Sequence, residues 1–173
     1  MRTYLLGLLL TLVVGLPAYA EPRMTTVRDW TYKDFHDGSA AGSTTNESGS
    51  TLIVYCAAAE QCMIFLVTST GCEENGKYTV LVNADSGAVA ENATCSKIST
   101  PAAKEQFALV FNDFQTLLNT ILKDHMIGFS IPLANGMFKV TRFSLEGSNE
   151  VLSAVGQSVK GSSKPAGLKD QVL

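Results

Sequence analysis

The sequence has two histidines, one tryptophan and no pair of cysteines spaced as C-x-x-C. Each shortage removes a class of function. Without C-x-x-C the thiol redox motif is missing, and His36 and His125 lie too far from the cysteines to give zinc-finger spacing. G-x-S-x-G is absent, and neither histidine sits in a recognisable nucleophile motif, so an acyl-transfer triad has no visible base. The glycines cluster in Ser/Thr-rich stretches and not between a strand and a helix, which leaves no phosphate-binding loop. Glu73 and Glu74 are adjacent on a turn beside Cys72, where consecutive side chains diverge, so they read as solvated and not as a glycosidic acid pair. Basic residues form no patch, and the formal net charge is −3, which argues against nucleic acid and anionic membrane surfaces. The chain is therefore expected not to be an enzyme and to carry no cofactor and no metal.

Long apolar runs are missing after residue 20. The one such run, LLGLLLTLVVGL, follows Arg2 and ends in PAYA, where Ala18 and Ala20 give the small-residue pattern read by signal peptidase. This predicts a signal peptide over 1–20 with cleavage before Glu21, whose identity also disfavours a lipoprotein anchor. No later segment is long and apolar enough to span a bilayer. The expected product is periplasmic or secreted: a single β-rich domain over 21–159 and a flexible tail over 160–173, where GSSKPAGLKDQVL has no periodicity.

What the chain does have is an even set of cysteines, Cys56, Cys62, Cys72 and Cys95. In an exported chain these favour disulfides, with three connectivities open. The stretch VYCAAAEQCMIF narrows the choice. If TLIVYC and CMIFLVT form a short hairpin with Cys56 opposite Cys62, then Val54 meets Ile64 and Leu52 meets Leu66. On the other face Tyr55 meets Met63 and Ile53 meets Phe65. That register favours Cys56–Cys62 with Cys72–Cys95; the interleaved pairings are the alternatives.

Further segments follow from pattern. VRDWTYKDF (27–35) reads as one opening strand, its Trp30 a core residue and not a ligand anchor. HDGSAAGSTTNESGS (36–50) reads as a long exposed loop and a candidate partner contact. KYTVLVNAD (77–85) alternates as a strand, DSGAVAENATC after it reads as irregular, and FALVF (107–111) as a short strand. Phe114, Leu117, Leu118, Ile121 and Leu122 give an apolar helical stripe, with Asn112 as expected N-cap and Gln115 completing a capping box. Asn135-Gly136 predicts a type I′ hairpin that sets Leu133 against Phe138, Ile131 against Val140 and Phe129 against Arg142. Pro132 places its strand at an edge or bulge. A last helix starts at Gly147-Ser148, with Ser148 as cap. The triplets Asn46-Glu47-Ser48 and Asn92-Ala93-Thr94 fit the glycosylation pattern but read as chance occurrences. The expected fold is mainly β: a disulfide-pinned antiparallel β-sandwich of two sheets with one or two short helices.

Trp30 in an opening strand, TLIVYC, YTVLVNAD and the ending RFSLEGSNEVLSAV together resemble small periplasmic proteins of the TagO/VasI type, which accompany type VI secretion. The early Trp, the cysteine pair and the aromatic-x-Leu-x-Gly ending are also similar to the invasion-associated locus B proteins. Cys72 and Cys95 depart from both groups. Either resemblance implies a non-catalytic periplasmic accessory with a β-sandwich core and supplies no catalytic residue. The leading expectation is an exported binding or accessory protein with a protein partner in the cell envelope, or an envelope polymer. The alternative is a proteinaceous inhibitor of a cell-wall hydrolase, using the 36–50 segment to plug a basic cleft.

Overall fold

The computed structural model describes residues 23–57, 61–100 and 103–162. The expected signal peptide and its cleavage site lie outside the described residues, as does the chain beyond Ser162. The elements in order are β1 (Arg23–Val27), β2 (Trp30–Asp34), β3 (Ala40–Thr45), β4 (Thr51–Cys56), β5 (Cys62–Val67), β6 (Lys77–Ala84), β7 (Gly87–Thr100), β8 (Ala103–Phe111), α1 (Phe114–Lys123), β9 (Met126–Pro132), β10 (Phe138–Ser144) and α2 (Ser148–Ser162). The protein is mainly β, as expected. All ten strands nevertheless join one antiparallel sheet, in the order β1-β2-β3-β4-β5-β8-β7-β6-β9-β10, where two separate sheets were anticipated.

The sheet curls until its ends meet. At the start of β2, Trp30 is fully buried, and its Nε1 donates to the carbonyl of Ser144 at the end of β10, at 3.1 Å. Just after β3, Asn46 Nδ2 donates to Thr141 Oγ1 at 2.6 Å and to the Arg142 carbonyl at 3.1 Å. The Asp29 N–H bonds the Glu146 carbonyl, and Arg28 pairs with the Glu146 side chain. One apolar core results, with Trp30, Leu52, Ile64, Val82, Phe129 and Phe143 contributed from both halves of the sheet.

Several local expectations change here. The opening strand is two strands, because Arg28 takes a positive φ of 51° and turns the chain between Val27 and Trp30. The segment 36–50, expected as a loop, contains β3, a buried inner strand paired with β2 and β4. Its small residues serve packing. A Cβ on Gly42 would lie 2.8 Å from both Leu152 Cδ2 and Val151 Cγ1, so only glycine lets α2 settle on this strand. Likewise DSGAVAENATC is not irregular: after a tight turn at Asp85-Ser86 it becomes β7, with Glu91, Ala93 and Cys95 facing the core. Ala and Asn have low strand propensity, and here cross-strand pairing overrides it.

The helices differ at their ends. The cap of α1 is Asp113, not Asn112: its carboxylate accepts from the Thr116 N–H at 2.9 Å and the Thr116 hydroxyl at 2.8 Å. Those bonds hold the Asp113 carboxyl below its ordinary pKa. Leu117 and Ile121 of the predicted stripe are buried. Ser148 does not cap α2; its hydroxyl bonds the Ile121 carbonyl at 3.0 Å, and Asn149 Nδ2 bonds that of Leu122 at 3.2 Å. The first residues of α2 thus satisfy carbonyls orphaned at the end of α1.

The last hairpin is shifted by one residue. Leu133 N–H bonds the Met137 carbonyl at 2.8 Å and Gly136 N–H bonds that of Leu133 at 3.0 Å, giving a three-residue loop with Gly136 at φ 79°. Asn135 is not among the residues of positive φ, which a type I′ turn would require. The pairs are therefore Pro132 with Phe138, Ile131 with Lys139, Ser130 with Val140 and Phe129 with Thr141. A slip of one residue exchanges the two faces of a strand. Thr141 and Phe143 point into the core, and Phe138, Val140 and Arg142 point out.

Candidate functional site

The cysteines pair as the hairpin register indicated. Cys56 and Cys62 are directly opposed and bonded, with a Cα–Cα distance of 4.0 Å. The Ala57 N–H to Gln61 carbonyl bond marks the next rung as the hydrogen-bonded one, so the cysteines occupy the closer, non-hydrogen-bonded pair. Cys72 in the β5–β6 connection bonds Cys95 on β7, with a Cα–Cα distance of 5.9 Å. All four cysteines are consumed in these bonds, and both bridges are structural ties.

The other singled-out residues do not converge. The His125 ring is 82% exposed, 3.6 Å from Glu146, while its backbone N–H bonds Asp85. His36 lies beside Asp34, in the β2–β3 connection. Glu73 and Glu74 are exposed in the β5–β6 connection, where the Glu73 N–H bonds the Tyr78 hydroxyl at 3.0 Å. Asn46, of the first glycosylation triplet, spends its side-chain amide on β10. Among the described residues no cluster of three or more His, Cys, Asp and Glu side chains has metal-binding geometry, and no helix is long and apolar enough to cross a membrane.

One buried ionisable group stands apart. Glu91 on β7 points inward and is 6% exposed. Burial, together with the nearby Asp113 carboxylate, pushes its carboxyl above the ordinary range.

Grooves on the surface are shallow and lined by ordinary residues. The two larger hold about 300 Å³ each, one along β6 and β7 beside Lys77, Thr79 and Asn92, the other between β1 and α2 beside Arg23, Tyr32 and Glu150. Neither gathers a nucleophile with a base.

The most distinctive surface is the outer face of β6, β9 and β10. The paired rows can be read straight across it. Val140 opposes Ser130, Ser130 opposes Leu81 and Leu81 opposes Ala90, while Phe138 opposes Pro132 in the neighbouring row. Phe138 is 63% exposed, Met137 60%, Val140 52%, Leu81 46% and Met126 45%. These five make up most of the large apolar side chains exposed among the described residues, and a concentration of this kind on one sheet face marks a contact surface. Pattern reading missed it for a physical reason. Both phases of β10 are half apolar, Phe138 and Val140 on one and Phe143 and Leu145 on the other, so alternation alone does not choose the inward face.

No protein-family model matches the chain, and no curated protein matches it in sequence. A solved structure does match its fold. The crystal structure of invasion associated protein B from Bartonella henselae superposes with a TM-score of 0.54 over 80% of this chain and 99% of that one, at 13% identity. That likeness concerns the fold. It favours the second of the two resemblances drawn from the sequence and does not single out the TagO/VasI type. The chain is thus built on a disulfide-tied, mainly β scaffold similar to that of invasion associated protein B.

Proposed function

We propose that this protein is an exported, non-enzymatic accessory that works by contact, binding another protein of the cell envelope or cell surface. The observation that carries this reading is the exposed apolar face of β6, β9 and β10, where Phe138, Val140 and Leu81 stand in register on a rigid sheet. Two structural disulfides fit an oxidising compartment and so support export. The fold neighbour is described as invasion associated, and carried to this chain that description is in keeping with action at a cell surface. The inhibitor alternative relied on a projecting 36–50 segment, and with β3 in the core it keeps no specific support.

The test is a crosslinked pull-down of the tagged mature chain from its own cells, run beside a Leu81→Lys/Val140→Lys variant and quantified by mass spectrometry. The expected result is a defined protein partner recovered with the parent and depleted at least fivefold with the variant. Recovery of the same set by both chains, or of peptidoglycan alone, would contradict the reading. Amino-terminal sequencing of the mature protein checks export, with Glu21 expected first.

A further inference from the structure

The open edge of β10 divides into two halves with different hydrogen-bonding states. The Leu133 N–H to Met137 carbonyl bond and the Leu145 N–H to His125 carbonyl bond fix which rungs are hydrogen-bonded. By alternation Lys139, Thr141 and Phe143 turn their backbone groups toward β9, while Phe138, Val140, Arg142 and Ser144 turn theirs away from it. In the C-terminal half those outward carbonyls are occupied, Arg142 by the Asn46 amide and Ser144 by the Trp30 indole. In the N-terminal half, among the described residues, no hydrogen bond reaches the outward N–H and C=O groups of Phe138 and Val140. Unmet ladder groups beside exposed apolar side chains are a template for another strand.

Charge narrows what that strand carries. The formal net charge of the chain is −3, yet β6, β7, β9 and β10 contain a single carboxylate, Glu91, which faces inward and is buried. The cations that these strands turn outward are Lys77 and Arg142, and Arg142 forms no ion pair among the described residues. A second copy of this chain would bring the same outward cations with it. It would also set Lys139 opposite Lys139 in the symmetric register that uses only the two open rungs, and like charges directly opposed are destabilising. An acidic strand meets neither obstacle.

We infer that the open half of β10 takes an extended segment of a partner protein as an added strand. The segment pairs with Phe138 and Val140, lays apolar side chains over Phe138, Val140 and Leu81, and presents a carboxylate to Arg142. This rests on the contact reading above and gives that contact a place and a chemistry. The ladder stops at Arg142, where the Asn46 side chain closes the edge. Only two rungs form, so the outer apolar face and the Arg142 pairing supply the rest of the recognition.

The experiment places p-benzoylphenylalanine at position 138, and separately at position 24 on the opposite edge strand, in the full chain produced in its own cells. After irradiation the adducts are sequenced by mass spectrometry. The expected result is an adduct from position 138 to a heterologous protein, in a segment with Asp or Glu within about three residues of the attachment point. In an Arg142→Glu background its yield should fall at least fivefold, and in Arg142→Lys it should be retained. An adduct to a second copy, to lipid or polysaccharide, or to a segment without acidic residues overturns the inference, as does a yield indifferent to Arg142→Glu. An adduct from position 24 alone overturns this site and leaves the contact reading standing. No adduct from either position contradicts both.

Discussion

The two hairpins β4–β5 and β9–β10 are built from similar material, alternating apolar strands joined by a short connection, yet their registers are set differently. In β4–β5 a covalent bond between Cys56 and Cys62 fixes the pairing, and every partner deduced from it is the observed partner. In β9–β10 the Asn-Gly pair indicates a two-residue turn, and the strand lies one residue away from that register. The distant contacts outweigh the turn preference. Phe143 packs edge-on against Phe129 at 6.0 Å between ring centres, Trp30 holds the Ser144 carbonyl and Asn46 holds Thr141. A turn preference is worth a fraction of what a buried aromatic ring contributes. Register is set locally where a covalent bond is local, and by the core where it is not.

The most damaging way to break the second hairpin is through its remote anchors. Gly147 has a φ of 93°, and a Cβ there would lie 2.2 Å from the Val27 carbonyl oxygen. Gly147→Ala should therefore cost more than about 3 kcal/mol, combining backbone strain with a clash that no rotamer relieves. Trp30→Ala should cost about 3–5 kcal/mol by cavity formation. Both are read from the midpoint of urea unfolding. Next in size is a paired test of register: Phe143→Ala should lose about 3–5 kcal/mol and Phe138→Ala less than about 0.5 kcal/mol. The reverse order would restore the turn-directed register.

These effects also show how far the sequence could be read. Strand order along the chain, the helical stripe of α1, the buried Trp30 and the β4–β5 register were legible because each rests on spacing or on a covalent constraint. The 36–50 segment was not, because Gly, Ala, Ser and Thr signal a loop in isolation. Their value in β3 is the absence of bulk beneath Leu152 and Val151, a property of α2 and not of the segment itself. The cap of α1 was missed by one residue because Asn112 and Asp113 are both good caps, and only the bond to Thr116 decides between them. The contact face was illegible for the same reason as the β10 register. It consists of the residues that the core did not take.

On the disulfide side of the comparison the effects are smaller. Replacing Cys56 and Cys62 together by Ser should cost about 2 kcal/mol, and replacing Cys72 and Cys95 about 3 kcal/mol, since the second bond closes the longer loop. Loss of the first pair should also loosen the β4–β5 register, seen as faster amide exchange at Val54 and Ile64.

The smallest effect concerns Glu91. Its carboxyl binds a proton more tightly in the folded chain than in the unfolded one, so its contribution to stability is full at low pH and is lost as pH rises through the raised pKa. Glu91→Gln should therefore stabilise the protein at pH 7 and change it little at pH 4. A variant less stable than the parent at pH 7 would show that the carboxylate has a favourable partner.

The register of β9–β10 decides which residues face outward, and the proposed contact face depends on it. Cross-strand Hα–Hα contacts of non-hydrogen-bonded pairs, measured by NMR on the mature protein, read that register directly. The account predicts a strong contact between Ser130 and Val140, and another between Pro132 and Phe138. A strong contact between Ile131 and Val140 in their place would turn Phe138 and Val140 into the core and contradict it.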